Sequence, residues 1–304
     1  MRIDIHDVGH GHCSVITCPN GARVLVDCGY GASVGWHPSD AYAGTHFALA
    51  AFTNLDEDHL DDLPRAPGRI EAQALFSNPT VSAAALASMK PHGMKPGVRF
   101  MHGLLTRYGP GLIGPRPDLG GVSLRAYSNV FRRDFVDTNN LSLALFAKWG
   151  TFTVLFAGDL ETAGWRSLLQ VPGFLEDLMS VRVLVASHHG RANGRSEDAF
   201  RWMRPDVVVF SDDARQYESQ ETDAWYRARV HGIPDFANPR PLGGYGRRHV
   251  FTTRRDGHLT LGVDQTGRYV VSPERNSIRT PLLGSLGMLG IPAPSQPLGW
   301  PALR

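Results

Sequence analysis

Five apolar runs in this chain stop at residues that bind cations or move protons: LVD at Asp27, AAFTNLDEDH at His59, TVLFAGD at Asp159, VLVASHH at His189 and VVVFSDD at Asp213. Short apolar runs rich in β-branched residues read as buried strands. Strands aligned in one sheet bring their ends to one edge, where α/β architectures build their sites. A single strand ending in aspartate is commonplace. Several ends that carry both carboxylates and imidazoles favour a divalent-cation site, because these are the ligands such ions take.

The stretches between these runs supply the remaining elements. MRIDIHDV alternates apolar and polar residues, GHGHC is a glycine-rich turn, and SVITC and ARVLVDCG flank the turn signal Pro19-Asn20-Gly21, so the chain opens as a β-meander. HFALAAF is a strand or short helix delivering the acidic stretch that follows. Helices are expected in SAAALASMK, in LETAGWRSLL after Asp159 and in SEDAFRWM, and three strands in VSLRAYSNV, LSLALFAKWG and TFTVLFAGD. From Pro91 to Pro117 the density of Gly and Pro reads as loop with short elements. HVFTTRRDGHLTLGVDQTGRYVV reads as paired hairpin strands with turns at Asp256-Gly257 and Thr266-Gly267. One domain over 1–272 is expected, followed by a Pro/Gly/Leu-rich tail over 273–304 without helical or strand period.

The acidic stretch TNLDEDHLDDL, residues 53–63, has two readings. Asp and Asn are favoured at helix starts, where they accept hydrogen bonds from free N–H groups. They are also oxygen ligands for a cation, and the strand-end pattern favours that reading. Composition excludes little: 304 residues with 42% hydrophobic and 20% charged content allow a sizeable core, and a net charge of +2 does not support a nucleic-acid binder acting through charge alone. Cys13, Cys18 and Cys28 form no disulfide framework and are expected to be structural thiols in a reducing compartment. The opening MRIDIHDVG has no apolar signal region, and no apolar run has the length of a membrane span. A soluble, cytoplasmic protein with no membrane partner is expected.

Taken in order, DVGHGHCSVI, VLVDCG, NLDEDH, NNLSLALF, LFAGD and ASHHG resemble the metallo-β-lactamase fold, and within it the hydrolase domain of competence-type DNA-uptake channel proteins and its stand-alone relatives. The resemblance covers roughly residues 1–215 and, more loosely, the strands to about 271. It implies an αβ/βα four-layer sandwich, two mixed β-sheets packed together with outer helices, with metals at one edge.

Carried over residue by residue, the HxHxDH frame of that family falls on Asn54, Asp56, Asp58 and His59. The last two match; the first two depart from histidine. Asp159 matches the aspartate that bridges two metals. Of His188 and His189, one is implied as a ligand and the other as facing substrate, with His189 preferred as the ligand. The implied metal set is therefore Asn54, Asp56, Asp58, His59, Asp159, His188 and His189, with Asn140, His10 and His12 as further candidates. Zinc suits the imidazole-bearing half; the asymmetry leaves open a one-metal hydrolase, or a second, harder ion such as Mn²⁺ or Mg²⁺ held loosely or with substrate at the oxygen-rich half. The implied activity is metal-dependent hydrolysis of a phosphodiester, in a small molecule or a nucleic acid. Asp58 would orient or deprotonate the water and His188 would contact the oxyanion or leaving group. Arg191 and Arg195 fit a phosphate or a solvated surface; Gln220, Trp225 and Tyr226 lie past a strand end, where the two readings are a substrate cleft and, favoured for the aromatics, packing. The loss of two histidines supports a different class, a non-catalytic binding or regulatory module on the same fold. A partner protein is compatible with either.

Overall fold

The computed structural model describes residues 1–31, 34–213, 221–239 and 244–275; residues 276–304 of the expected tail, and Gln220, lie outside them. Two large mixed sheets dominate. The first has eight strands in the order Tyr269–Pro273, Leu259–Val263, Arg2–Ile5, Ser14–Thr17, Arg23–Val26, Leu49–Ala51, Leu75–Phe76 and Leu112–Ile113. The second has six, in the order Val250–Thr252, Val207–Phe210, Val183–Val185, Phe152–Phe156, Leu143–Trp149 and Ser123–Ser128. Within the second sheet, neighbours run parallel from Val250–Thr252 to Phe152–Phe156 and antiparallel beyond.

Side-chain alternation explains the layering. Val24 and Val26 of the first sheet meet Val154 and Phe156 of the second in the central core, whereas Leu25 and Leu155 point outward into two separate outer cores. A strand buried on both faces has no polar side, and so these strands read as continuous apolar runs. The outer core of the second sheet is closed by the helices Thr162–Leu168 and Phe174–Met179, through Trp165, Leu168, Phe174 and Leu178. This is the four-layer sandwich of two mixed sheets that the resemblance implies.

The outer core of the first sheet holds a helix where the sequence reads as loop. Pro96–Tyr108 is helical, with Val98, Met101, Leu104 and Leu105 buried on one face. Pro96 stands in the first turn, where a missing N–H costs nothing. Gly97 packs so closely on the Leu60 carbonyl that a β-carbon would clash. Both residues look like breakers in the sequence and act here as a helix start and a close contact.

Two further expectations are corrected. SEDAFRWM contains only a three-residue 3₁₀ turn, Ala199–Arg201. Val250–Thr252 does not pair with Leu259–Val263; it joins the second sheet, and the short helix Thr253–Asp256 carries the chain across to the first. The hairpin is Leu259–Val263 with Tyr269–Pro273. The crossing is held by Asp256, which is buried, accepts the Thr252 N–H at 2.9 Å and pairs with Arg248. Among the described residues no helix is long and apolar enough to cross a membrane.

Candidate metal centre

The acidic stretch is a short helix, Glu57–Leu60, that starts at Asp56 without a side-chain cap. Its position is fixed by the backbone: the carbonyls of Asp58 and His59 accept the N–H groups of His12 (3.1 Å) and Cys28 (2.8 Å). A β-carbon at Gly11 or Gly29 would fall inside the Asp58 carbonyl oxygen, so the glycines of GHGHC and VDCG let the helix approach the strand ends.

Asp159 follows the strand Phe152–Phe156, and its N–H bonds to the Ser142 hydroxyl at 2.9 Å. His188 and His189 both lie in the left-handed region, with φ of 51° and 55°, just past Val183–Val185. Asp27 shares that conformation at φ 60°. Non-glycine residues held there cost free energy, and three of the four among the described residues, Asp27, His188 and His189, follow strand ends of the two sheets; the fourth is Arg132.

Four of the candidate residues converge. Asp58, His59, Asp159 and His189 each bring one ligand atom within 4.8 Å of the others. His59 Nε2 is 3.1 Å from Asp159 Oδ1, and His189 Nε2 is 3.0 Å from Asp58 Oδ2. His59, Asp159 and His189 are no more than 3% exposed.

The outer nitrogens fix the tautomers. His59 Nδ1 is 2.8 Å from the Asp27 carboxylate, and His189 Nδ1 is 2.8 Å from the Ser211 carbonyl. Carboxylate and carbonyl only accept, so each Nδ1 carries the hydrogen and each Nε2 is turned inward. Asp27 is itself clamped by the N–H and hydroxyl of Thr53. Two inward imidazole nitrogens beside two carboxylate oxygens, each imidazole backed by an acceptor, fit a divalent cation in ligand type and support.

The electrostatics point the same way. Burial opposes the charge of Asp58, yet hydrogen bonds from His10 and His189 hold it well below the usual carboxylate range. Burial also opposes charge on His59, and Asp159 and Asp27 overcome it to hold that imidazole well above its ordinary value. The carboxylates demand positive charge at this point.

The remaining candidates fall outside this group of four, some of them at its margin. His188 stays outside the cluster, with Nδ1 3.7 Å from Glu161 Oε1. Asp56 pairs with Lys90 and accepts the Thr138 hydroxyl at 2.7 Å, and Asn54 bonds to Asn139 at 3.3 Å. Asn140 accepts the Gly164 N–H at 2.9 Å. His12 is buried against Ser14, 3.0 Å from its hydroxyl, and lines a cavity of ≈ 10 Å³ beside His59, Asp159 and His189. Its Nδ1 has no hydrogen-bond partner among the described residues. His10, 37% exposed in its side chain, stands at the mouth, with Nε2 3.2 Å from Asp58 Oδ2. The carboxylates of Asp212 and Asp58 beside it raise its pKa to about 9.

Arg191 Nη2 lies 3.4 Å from His10 Nε2, at the same mouth. Arg195 turns away, its Nε on the Ala192 carbonyl and its guanidinium over Trp225. Tyr226 is buried in the outer core against Phe210. The three cysteines are buried and free, and burial raises their thiols, Cys18 to about 11. The orienting roles of Asp27 and Ser211 escape sequence reasoning. Asp27 is visible as a strand end, but nothing in one dimension says that it faces His59.

No family model and no curated protein matches the chain. Solved structures similar to it include a diphosphatase from the PhnP family, 11% identical over 76% of this chain and 93% of that one, with a TM-score of 0.42. A protein from Parabacteroides distasonis assigned as a metal-dependent hydrolase is 13% identical over 74% of this chain and 89% of its own, with a TM-score of 0.41. One from Thermotoga maritima, assigned as a Zn-dependent hydrolase of the metallo-β-lactamase superfamily, is 9% identical over 82% and 97%, with a TM-score of 0.37.

Proposed function

We propose that this protein is a metal-dependent hydrolase acting on a phosphodiester. The observation that carries the reading is the tautomer control: Asp27 and Ser211 occupy the outer nitrogens of His59 and His189, leaving both Nε2 atoms facing Asp58 and Asp159. Asp58, His59, Asp159 and His189 would hold the cation, with zinc suited to the two imidazoles. A divalent cation there supplies Lewis acidity and makes water acidic enough to attack near neutral pH.

The chain's own groups do the rest. Asp58, the more exposed of the two carboxylates, accepts a hydrogen bond from the attacking water and orients it. Arg191 and His10 at that mouth offer N–H donors to an anionic oxygen, which favours a phosphodiester over a neutral amide. The sequence resemblance to the competence-type branch leans toward the same bond. His188, outside the group of four and beside Glu161, would contact the leaving group.

Elemental analysis after chelator-free purification, with hydrolysis of bis(p-nitrophenyl) phosphate on the same samples, tests this. Bound Zn or Mn that is lost in Asp58→Ala/His59→Ala, together with hydrolysis abolished by chelator, is the expected result. Bound metal without hydrolysis of phosphodiesters would favour the binding module. No metal in either protein, even after soaking with Zn²⁺ and Mn²⁺, would overturn the catalytic reading.

A further inference from the structure

The loop that carries Asp58 and His59 carries two more oxygen donors, Asn54 and Asp56, and both are committed elsewhere. Lys90 sits just past the helix Ala83–Ser88 and places its ammonium on Asp56 Oδ1. The Thr138 hydroxyl donates to Oδ2 at 2.7 Å. The Lys90–Asp56 pair is mostly buried, at 22% and 25% side-chain exposure, so it is screened less than a surface pair. The Asn54 carboxamide oxygen accepts the Asp56 N–H at 2.8 Å, and its nitrogen donates to Asn139 at 3.3 Å.

The commitment continues outward. Asn139 donates to Glu161 at 3.3 Å, and Glu161 accepts from Asn193 at 2.8 Å. Asn140 is tied to Gly164 and to Asp137, the latter at 3.1 Å. Among the described residues, Asp58, His59, Asp159 and His189 are the only group of three or more His, Cys, Asp or Glu side chains close enough to share an ion. A divalent ion using Asp56 would have to displace an ammonium from a half-buried carboxylate and then stand beside it. Like charges at contact range oppose that arrangement.

We propose that the centre takes one cation per chain, and that Lys90 keeps it so by holding Asp56 out of coordination. Lys90 is a positioning residue: it acts on Asp56 and touches none of the four ligands. The inference rests on the metal-binding reading above; of the one-metal and two-metal alternatives that the sequence leaves open it takes the first, with an internal ion pair where the second, oxygen-rich site would stand.

The test is titration of metal-free protein with Zn²⁺ and Mn²⁺ by calorimetry, checked by elemental analysis. Wild type, Lys90→Arg and Asp56→Ala should each bind one ion, with affinities within about threefold of one another. Lys90→Met, its fold verified by circular dichroism, should bind a second ion at least tenfold more weakly than the first. Lys90→Met/Asp56→Ala should return to one. Two ions in the wild type would overturn the proposal, as would Asp56→Ala weakening the first ion as much as Asp58→Ala does. A single ion in folded Lys90→Met would overturn the role of Lys90. No ion in any variant would overturn the metal centre itself, a failure distinct from a wrong stoichiometry.

Discussion

The Asp27 carboxylate lies 2.8 Å from His59 Nδ1, across 32 residues of sequence, and decides which nitrogen of that imidazole faces Asp159. Asp27→Asn keeps the shape but can present an N–H where an acceptor is needed. The expected outcome is a 10- to 100-fold loss of metal affinity, on the order of losses that follow removal of such supporting groups. Competition against a chromogenic chelator measures it. Unchanged affinity would show that His59 needs no orienting partner.

Arg191 touches none of the four ligands and reaches the mouth through His10. Arg191→Met should leave metal content unchanged while raising KM for a phosphodiester about tenfold or more, since a hydrogen bond to a charged group contributes about 1.5–3 kcal/mol. Steady-state kinetics with metal analysis on the same preparation separates the two effects. A fall in kcat at constant KM would move Arg191 from substrate binding to the transition state.

His6 gives a pH prediction away from the centre. It is buried between Trp36, Tyr42 and His258, and burial, with His258 and Arg2 nearby, lowers its pKa from 6.5 to about 3. The unfolded chain therefore takes up this proton first. Stability from neutral His6 is complete above about pH 6.5 and is lost as pH falls toward 3, at about 1.4 kcal/mol per unit. Urea unfolding from pH 7.5 to 4.5 should show a flatter decline for His6→Phe than for wild type. Equal slopes would mean that other groups carry the acid sensitivity.

Gly29→Ala places a methyl group against the Asp58 carbonyl, which is backbone and cannot swing aside. Destabilisation of about 1–3 kcal/mol is expected from overpacking, with weakened metal binding as the helix Glu57–Leu60 is pushed outward. Thermal melts with and without Zn²⁺ read both. A variant as stable as wild type that retains its metal affinity would show that the helix can yield.

The strand ends were legible because the central strands of both sheets are buried on two faces, which writes each of them as an apolar run followed by a polar stop. Asp58, His59, Asp159 and His189 all stand at such stops. What supports or displaces a ligand was not legible. Asp27 and His59 are 32 residues apart, Lys90 and Asp56 are 34, and His189 and the Ser211 carbonyl are 22. Only the packed sheets bring these pairs into contact. The helix Pro96–Tyr108 was hidden for a different reason: Pro96 and Gly97 punctuate loops in most sequences, and their use here depends on the Leu60 carbonyl against which Gly97 rests.

The strand Arg2–Ile5 lies inside the first sheet, and one of its two neighbours, Leu259–Val263, comes from the far end of the described chain. The Met1 ammonium reaches the Val263 carbonyl across 262 residues. A ribosome therefore delivers Arg2–Ile5 long before the strand that covers it. Until then Arg2–Ile5 presents unpaired backbone groups, a surface open to pairing with other chains. Closure also waits on a long loop, the slow kind of contact in folding. Chains released before residue 259 would carry every residue of the proposed metal cluster and still lack the strand that pairs with Arg2–Ile5.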